Sequence, residues 1–331
     1  MHHNAQHCIF VQTHIRLNRS EMPDYNRYIK KLTLAFGIFF FQSTAGFASV
    51  LFDTVSTGQV TSTREQALSF LDQIKEPEIS THWPNIKSRL FLKNLRAIID
   101  KPMGIYPGKG TNFCGYGALT YLFLQDDPLG YARLLLELYR HGKATFLKTV
   151  FVPSAAIKTE AGKLKFKGML DINPAEQMWY LTLAGHYKGY LNIFNRKYDP
   201  GDEDRFWASV NYAKFNRMAR NLLQYRVKSR GADLMRPKSL DLYAYISEKM
   251  AEGQVVLFIN NRIVHKKDHV TIKLGVPTHF IVAEKISIRD SLVTLMYWDY
   301  GRKTQMQLSV AFLKRIVFGI TQLSKTGTDV N

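Results

Sequence analysis

Cys114 stands at the head of the apolar run CGYGALTYLFL (114–124), in the stretch NFCGYGALTYLFL. A run of this kind reads as a helix, and a cysteine in its first turn is in a chemically useful place. The unpaired N–H groups and partial positive charge of a helix start favour thiolate over thiol. The same N–H groups can hold an oxyanion once sulfur has attacked a carbonyl. Gly115 and Gly117 leave the backbone open on the side where a substrate would approach. A thiolate nucleophile needs a base, and the base needs an orienting group. His279 opens the strand-like segment THFIVAEKISI, and Asp299 closes the next one, LVTLMYWDY. If the two strands are antiparallel neighbours, the start of one lies beside the end of the other, and the two side chains meet at one edge of the sheet. The imidazole then faces the Cys114 sulfur while Asp299 fixes its tautomer. Trp298 and Tyr300 would wall the pair from water, and Gly301 would give the turn room.

These side chains must be carried by elements, and the chain divides by texture. Residues 62–76 read as an amphipathic helix with a Ser/Thr start and a Glu three residues on. A basic helix is expected over 84–100, followed by the turn-rich loop KPMGIYPGKGTN. Asp127-Pro128 caps a further helix, closed by Gly142. Asn173-Pro174 starts PAEQMWYLTLAGHY, residues 204–225 form a long amphipathic run, and Ser239 opens SLDLYAYISEKMAEG. After Gly253 the texture changes. QVVLFIN, THFIVAEKISI, LVTLMYWDY, TQMQL and RIVFGITQL are short, β-branched and aromatic, and are spaced by turn residues. Helices first and an antiparallel sheet later give the α+β class.

With these elements in place, the chain resembles the papain-like cysteine peptidases, and within them the bacterial branch that includes bacteriocin-leader peptidases. The matching pieces are NFCGYGA (112–118), EGQVVLFIN (252–260), THFIVAEK (278–285) and YWDYG (297–301), in the family's order of Cys, His, Asp or Asn. The resemblance implies a papain-like fold, in which a helical lobe carrying the nucleophile helix packs on an antiparallel sheet. It implies Cys114 as nucleophile, His279 as general base and acid, and Asp299 as the orienting carboxylate. The family's glutamine ahead of the cysteine, which completes the oxyanion hole, has no counterpart here; Asn112 or a backbone N–H takes its place. Tyr116 stands where proline often follows the Cys-Gly pair. The expected activity is thiol-dependent hydrolysis of an amide bond through a thioester, with no cofactor and no metal. Transglutamination, deamidation or cell-wall amide cleavage share that chemistry. A catalytically inactive papain-fold protein gripping an anionic surface is the reading from another class.

Composition bounds the rest. With 46% hydrophobic residues, 21 Phe, 17 Tyr and 4 Trp among 331, there is ample apolar surface for a core. No stretch after residue 50 has the ~20 uninterrupted apolar residues of a membrane span. Ahead of it, Arg27, Lys30 and Lys31, then LTLAFGIFFF (32–41), then small residues give the order of a secretory signal peptide, with translation starting at Met22. The expected organisation is therefore 1–48 upstream extension and signal, 49–100 N-terminal helical segment, and 101–325 papain-like domain with a helical insertion at about 170–235. A tail, 326–331, ends the chain. Removal of 1–48 takes Cys8 with it and leaves Cys114 a lone thiol in a secreted or periplasmic protein, where thiols usually pair. The net charge of +18 suits anionic partners such as cell-wall polymers. Lys214, Arg217 and Arg220, recurring every third residue, are the candidate contact, and the substrate is expected to be a peptide, protein or cell-wall peptide.

Other patterns carry less. PGKGT (107–111) lacks the Ser or Thr that a phosphate loop places after its lysine. His265, His269 and Asp268 offer no evident further metal ligand. DPGDED (199–204) lacks the calcium-loop pattern.

Overall fold

The computed structural model describes residues 60–75, 79–165, 170–187, 197–238, 241–261 and 275–325. The expected signal segment with Met22, the His265/His269 pair with Asp268, Ser239 and the tail 326–331 lie outside these residues.

The first helix, α1, spans Arg64–Asp72. Its capping box lies one residue later than Ser62 and Glu65 suggest: the Thr63 hydroxyl accepts from the Gln66 N–H while the Gln66 side chain reaches back. Helix α2 is Ser88–Asp100, burying Phe91, Leu95, Ile98 and Ile99 at helical spacing. Helix α3, Cys114–Asp126, is buried on nearly every side, with Gln125 alone exposed. Helix α4, Pro128–His141, starts on the Asp127 side chain and ends at Gly142, whose φ of 62° is the left-handed conformation that favours glycine. A short antiparallel hairpin follows, β1 (Ala144–Phe146) and β2 (Thr149–Phe151), which periodicity did not suggest. Helices α5 (Ala155–Glu160) and α6 (Pro174–Tyr187) come next.

The long run expected over 204–225 divides. Only α7, Tyr212–Leu222, is helical, because the Asn211 side chain accepts from the Lys214 N–H and fixes the start there. Residues 225–231 form a strand instead, β3. Helix α8, Leu242–Glu252, begins on Asp241.

The five expected strands are present as β4 (Gln254–Ile259), β5 (His279–Arg289), β6 (Leu292–Asp299), β7 (Arg302–Ser309) and β8 (Val317–Lys325), with a short helix α9, Val310–Ile316, before the last. Together with β3 they form one antiparallel sheet of six strands in the order β3-β8-β4-β5-β6-β7. The fold is thus mixed α+β with an antiparallel sheet. None of the described helices is long and apolar enough to cross a membrane.

Strand alternation feeds two cores. Val256, Phe258, Phe280, Val282 and Trp298 face the helices α1 to α7, whereas Val255, Leu257, Ile259, Ile281 and Leu295 face α8 and α9. Helix α7 is fastened to the first face by stacked rings, Phe215 on Phe280 at 4.6 Å and Phe280 on Phe258 at 4.2 Å. Helix α3 meets the same face through Tyr121, stacked on Trp298 at 5.3 Å. That approach depends on Gly117, where a Cβ would stand 3.1 Å from Pro107 and 3.2 Å from Trp298 Cη2.

Candidate active site

Strand β5 runs beside β6 in antiparallel register, with Val282 opposite Trp298. The start of one strand therefore adjoins the end of the other. His279 Nε2 and Asp299 Oδ1 lie 2.6 Å apart, both side chains buried. With Nε2 engaged, Nδ1 is the nitrogen left for a reacting group, and no hydrogen bond of good geometry reaches it among the described residues. Tyr300, at positive φ (44°), stacks on the imidazole at 4.7 Å and 11°. Gly301 follows at φ 80°, where a Cβ would press on the carbonyls of Ile105 and Gly104 at 3.2 and 3.3 Å. The β6–β7 turn thus sits directly on the loop that leads to the nucleophile helix.

Cys114 is the first residue of α3, whose start no side chain caps. Its thiol donates to the Thr278 carbonyl at 3.8 Å, one residue before the histidine. Thr278 is itself held by Ile259, whose carbonyl accepts the Thr278 N–H at 2.9 Å, and by the Asn261 N–H, which donates to its hydroxyl. Cys114 as a whole is only 9% exposed.

Burial on its own would discharge the His279 ring, but the Asp299 carboxylate outweighs it. With the nearby charge of Cys114 added, the imidazole pKa is lifted to about 10. The ring therefore carries its second proton at neutral pH. Cys114, His279 and Asp299, separated by up to 185 positions along the chain, are brought to one place.

The remaining site residues divide. Trp298 is fully buried and donates from Nε1 to the Met103 carbonyl at 3.2 Å, so it braces the loop 102–113 from the core side rather than lining an open cleft. Gly115 is in close contact with Val210, at 2.9 Å from where its Cβ would be. Asn112 directs its side-chain amide to the Arg205 carbonyl at 2.9 Å and its backbone N–H to the Glu203 carbonyl at 2.8 Å. It clamps a neighbouring loop, while the first turn of α3, which no side chain caps, begins at Cys114 itself.

Lys214 corrects an expectation. It is 4% exposed and is not a surface contact, unlike Arg217 and Arg220, which are exposed on the same helix. As the third residue of α7 its side chain turns inward, and Nζ donates to the Tyr116 hydroxyl at 2.7 Å and the Ser209 carbonyl at 3.2 Å. Burial, assisted by Arg217, pushes its pKa down to about 7. Tyr116 is driven the other way by burial and by the nearby Cys114. Sequence reasoning missed Lys214, Tyr116 and Thr278 as site neighbours. Thr278 carried a signal in its position next to His279, as did Tyr116 in its position two residues after Cys114.

Comparison with known proteins adds no relative: no family model, no curated protein and no solved structure matches the chain.

Proposed function

We propose that the chain is an exported, papain-like, cysteine-dependent hydrolase acting on an amide bond, with Cys114 as nucleophile, His279 as acid and base, and Asp299 as orienting carboxylate. One observation carries the reading. A buried imidazole is tied through Nε2 to a buried carboxylate at 2.6 Å, and its free nitrogen and raised charge are associated with a thiol at a helix start.

The chemistry follows from that order. A cation beside a thiol favours the thiolate, which attacks the carbonyl carbon of the substrate. The first-turn N–H groups of α3 receive the oxyanion. The His279 proton passes to the leaving amine as the C–N bond breaks, giving a thioester. Water then adds with His279 as base, taking one of its protons, and the acid departs as the C–S bond breaks and the thiolate is restored beside the charged ring. Asp299 keeps the ring oriented and charged when it must be. Deamidation has the same course with ammonia as the leaving group; transamidation replaces water by an amine. A peptide is the first substrate class, and the positive charge of the chain suits one held on an anionic polymer, such as a cell-wall peptide.

The test is alkylation by iodoacetamide at pH 7, followed by mass spectrometry of the Cys114 peptide. Labelling much faster than a free thiol, falling by about 10²-fold or more in His279→Ala, is expected. A free-thiol rate unchanged by that substitution would transfer the reading to an inert cysteine in a binding protein.

A further inference from the structure

Leu234 and Met235 are adjacent in the chain, and both are among the most exposed large apolar side chains of the described residues, at 75% and 69%. They stand on a fixed turn. Strand β3, at one edge of the sheet, ends at Gly231 (φ 115°), where a Cβ would stand 2.0 Å from the Phe318 carbonyl oxygen. Only glycine lets the strand run that close to β8 before it turns. The Ala232 N–H then reaches the carbonyls of Met235 and Phe318, each at 3.2 Å, which closes the turn and pins it to β8. On the far leg, Arg236 donates from Nε to the Arg315 carbonyl in α9 at 3.0 Å and lies over the Phe318 ring at 4.4 Å.

Positive charge gathers on the same segment. Residues 226–238 hold Arg226, Lys228, Arg230, Arg236 and Lys238 against one acid, Asp233. That carboxylate is engaged at the start of α7, where it accepts the Tyr212 N–H at 2.7 Å. Arg230 donates to the Lys238 carbonyl and lies over the Tyr245 ring at 4.9 Å, which keeps it beside the turn. The acids of the adjoining helix α8 are engaged too: Asp241 caps its start, and Glu248 and Glu252 pair with Lys249.

Single exposed apolar side chains are common on protein surfaces. Two long ones side by side on an anchored turn, flanked by cations, ask for a partner that is both apolar and acidic. A polyanion in water would meet the cations and leave Leu234 and Met235 exposed, since neither offers a flat ring for a base to stack on. A bilayer with acidic headgroups meets both requirements, because apolar side chains enter the headgroup boundary while arginine and lysine stay at the charged surface.

We propose that the turn 232–236 is a peripheral membrane-docking surface, in which Leu234 and Met235 enter the interfacial layer of a bilayer while Arg230, Arg236 and Lys238 meet its anionic headgroups. The surface is independent of the thiol chemistry.

The experiment titrates the full chain carrying Met235→Trp with phosphatidylcholine vesicles containing about one-third phosphatidylglycerol, and compares its tryptophan emission with that of the parent chain. The added ring should shift to the blue and be quenched by brominated acyl chains; vesicles of phosphatidylcholine alone should do neither. In the same background, Arg236→Gln with Lys238→Gln should raise the lipid concentration at half-maximum by about thirtyfold, the scale of two cations near an acidic surface. Leu234→Ser should raise it by about tenfold. All four positions are exposed, so the fold tolerates these changes. Emission that stays that of a water-exposed ring overturns the proposal. Sedimentation of the chain with the vesicles while that emission is unchanged would mean that charge alone holds it, as on a polyanion, and overturns it too. So does a half-maximum indifferent to phosphatidylglycerol, to the two cations or to Leu234.

Discussion

On the sheet side of Cys114 a buried imidazole meets a carboxylate; on the α7 side a buried ammonium meets a phenol and a backbone carbonyl. Both cations are out of water, and both sit beside the same turn of α3. Their acid strengths diverge: His279 rises to about 10, and Lys214 falls to about 7. Burial penalises charge in both places. A full opposite charge at 2.6 Å reverses the penalty, and neutral dipoles at 2.7 and 3.2 Å do not. A polar contact by itself therefore says little about whether a buried group is charged; the nature of the partner decides.

The comparison is broken most severely by Asp299→Asn, which gives His279 a neutral partner like that of Lys214. The ring pKa should fall, and iodoacetamide labelling of Cys114 at pH 7 should drop by about 10²-fold. A labelling rate and pH profile like those of the parent chain would refute the role given to Asp299.

Stability against pH sharpens it next, because the two groups act with opposite sign in one window. His279 binds its proton more tightly when folded. Its contribution is complete below about 6.5 and is lost as pH rises through about 10. Lys214 binds its proton less tightly when folded. Its penalty is complete below about 7 and is relieved between about 7 and 10.5, where the unfolded chain alone holds the proton. Lys214→Met should remove that alkaline relief, a change of up to about 5 kcal/mol across the window. Urea unfolding at successive pH values should show the variant losing stability more steeply above pH 7. Parallel curves would mean that Lys214 is not discharged by burial.

The smallest effect tests how closely the two flanks are held to α3. Gly117→Ala places a methyl 3.1 Å from Pro107 and 3.2 Å from Trp298, and should cost about 1–2 kcal/mol. The urea midpoint reports it; an unchanged midpoint would show that Pro107 and Trp298 yield freely.

The parts of the site legible in the sequence were those carried by regular periodicity. Alternating β-branched runs marked β4 to β8, and because β5 and β6 are consecutive, their pairing placed His279 beside Asp299. The apolar run after Cys114 marked α3. What stayed hidden depends on side-chain direction at element starts. Lys214 and Arg217 look alike on a helical wheel, yet the third residue of α7 reaches back over the cap and inward. Residues 204–211 have the composition of a helix; the Asn211 cap and the clamp from Asn112, about a hundred residues upstream, make them a braced loop. Strand β3, exposed along much of its length, alternates only at Tyr225 and Val227 and is held by a ladder to β8 from Tyr225–Lys325 to Gly231–Gly319.

The place of β8 has a temporal consequence. The last of the described strands is not at the border of the sheet; it is inserted between β3 and β4 and bonds to both. Until residues 317–325 leave the ribosome, β4 lacks one of its two neighbours and the inner face that meets α7 stays open. A nascent chain that already contains Cys114, His279 and Asp299 thus still lacks the strand that completes the sheet behind them, and a product shortened before Val317 should unfold at lower urea than the full chain.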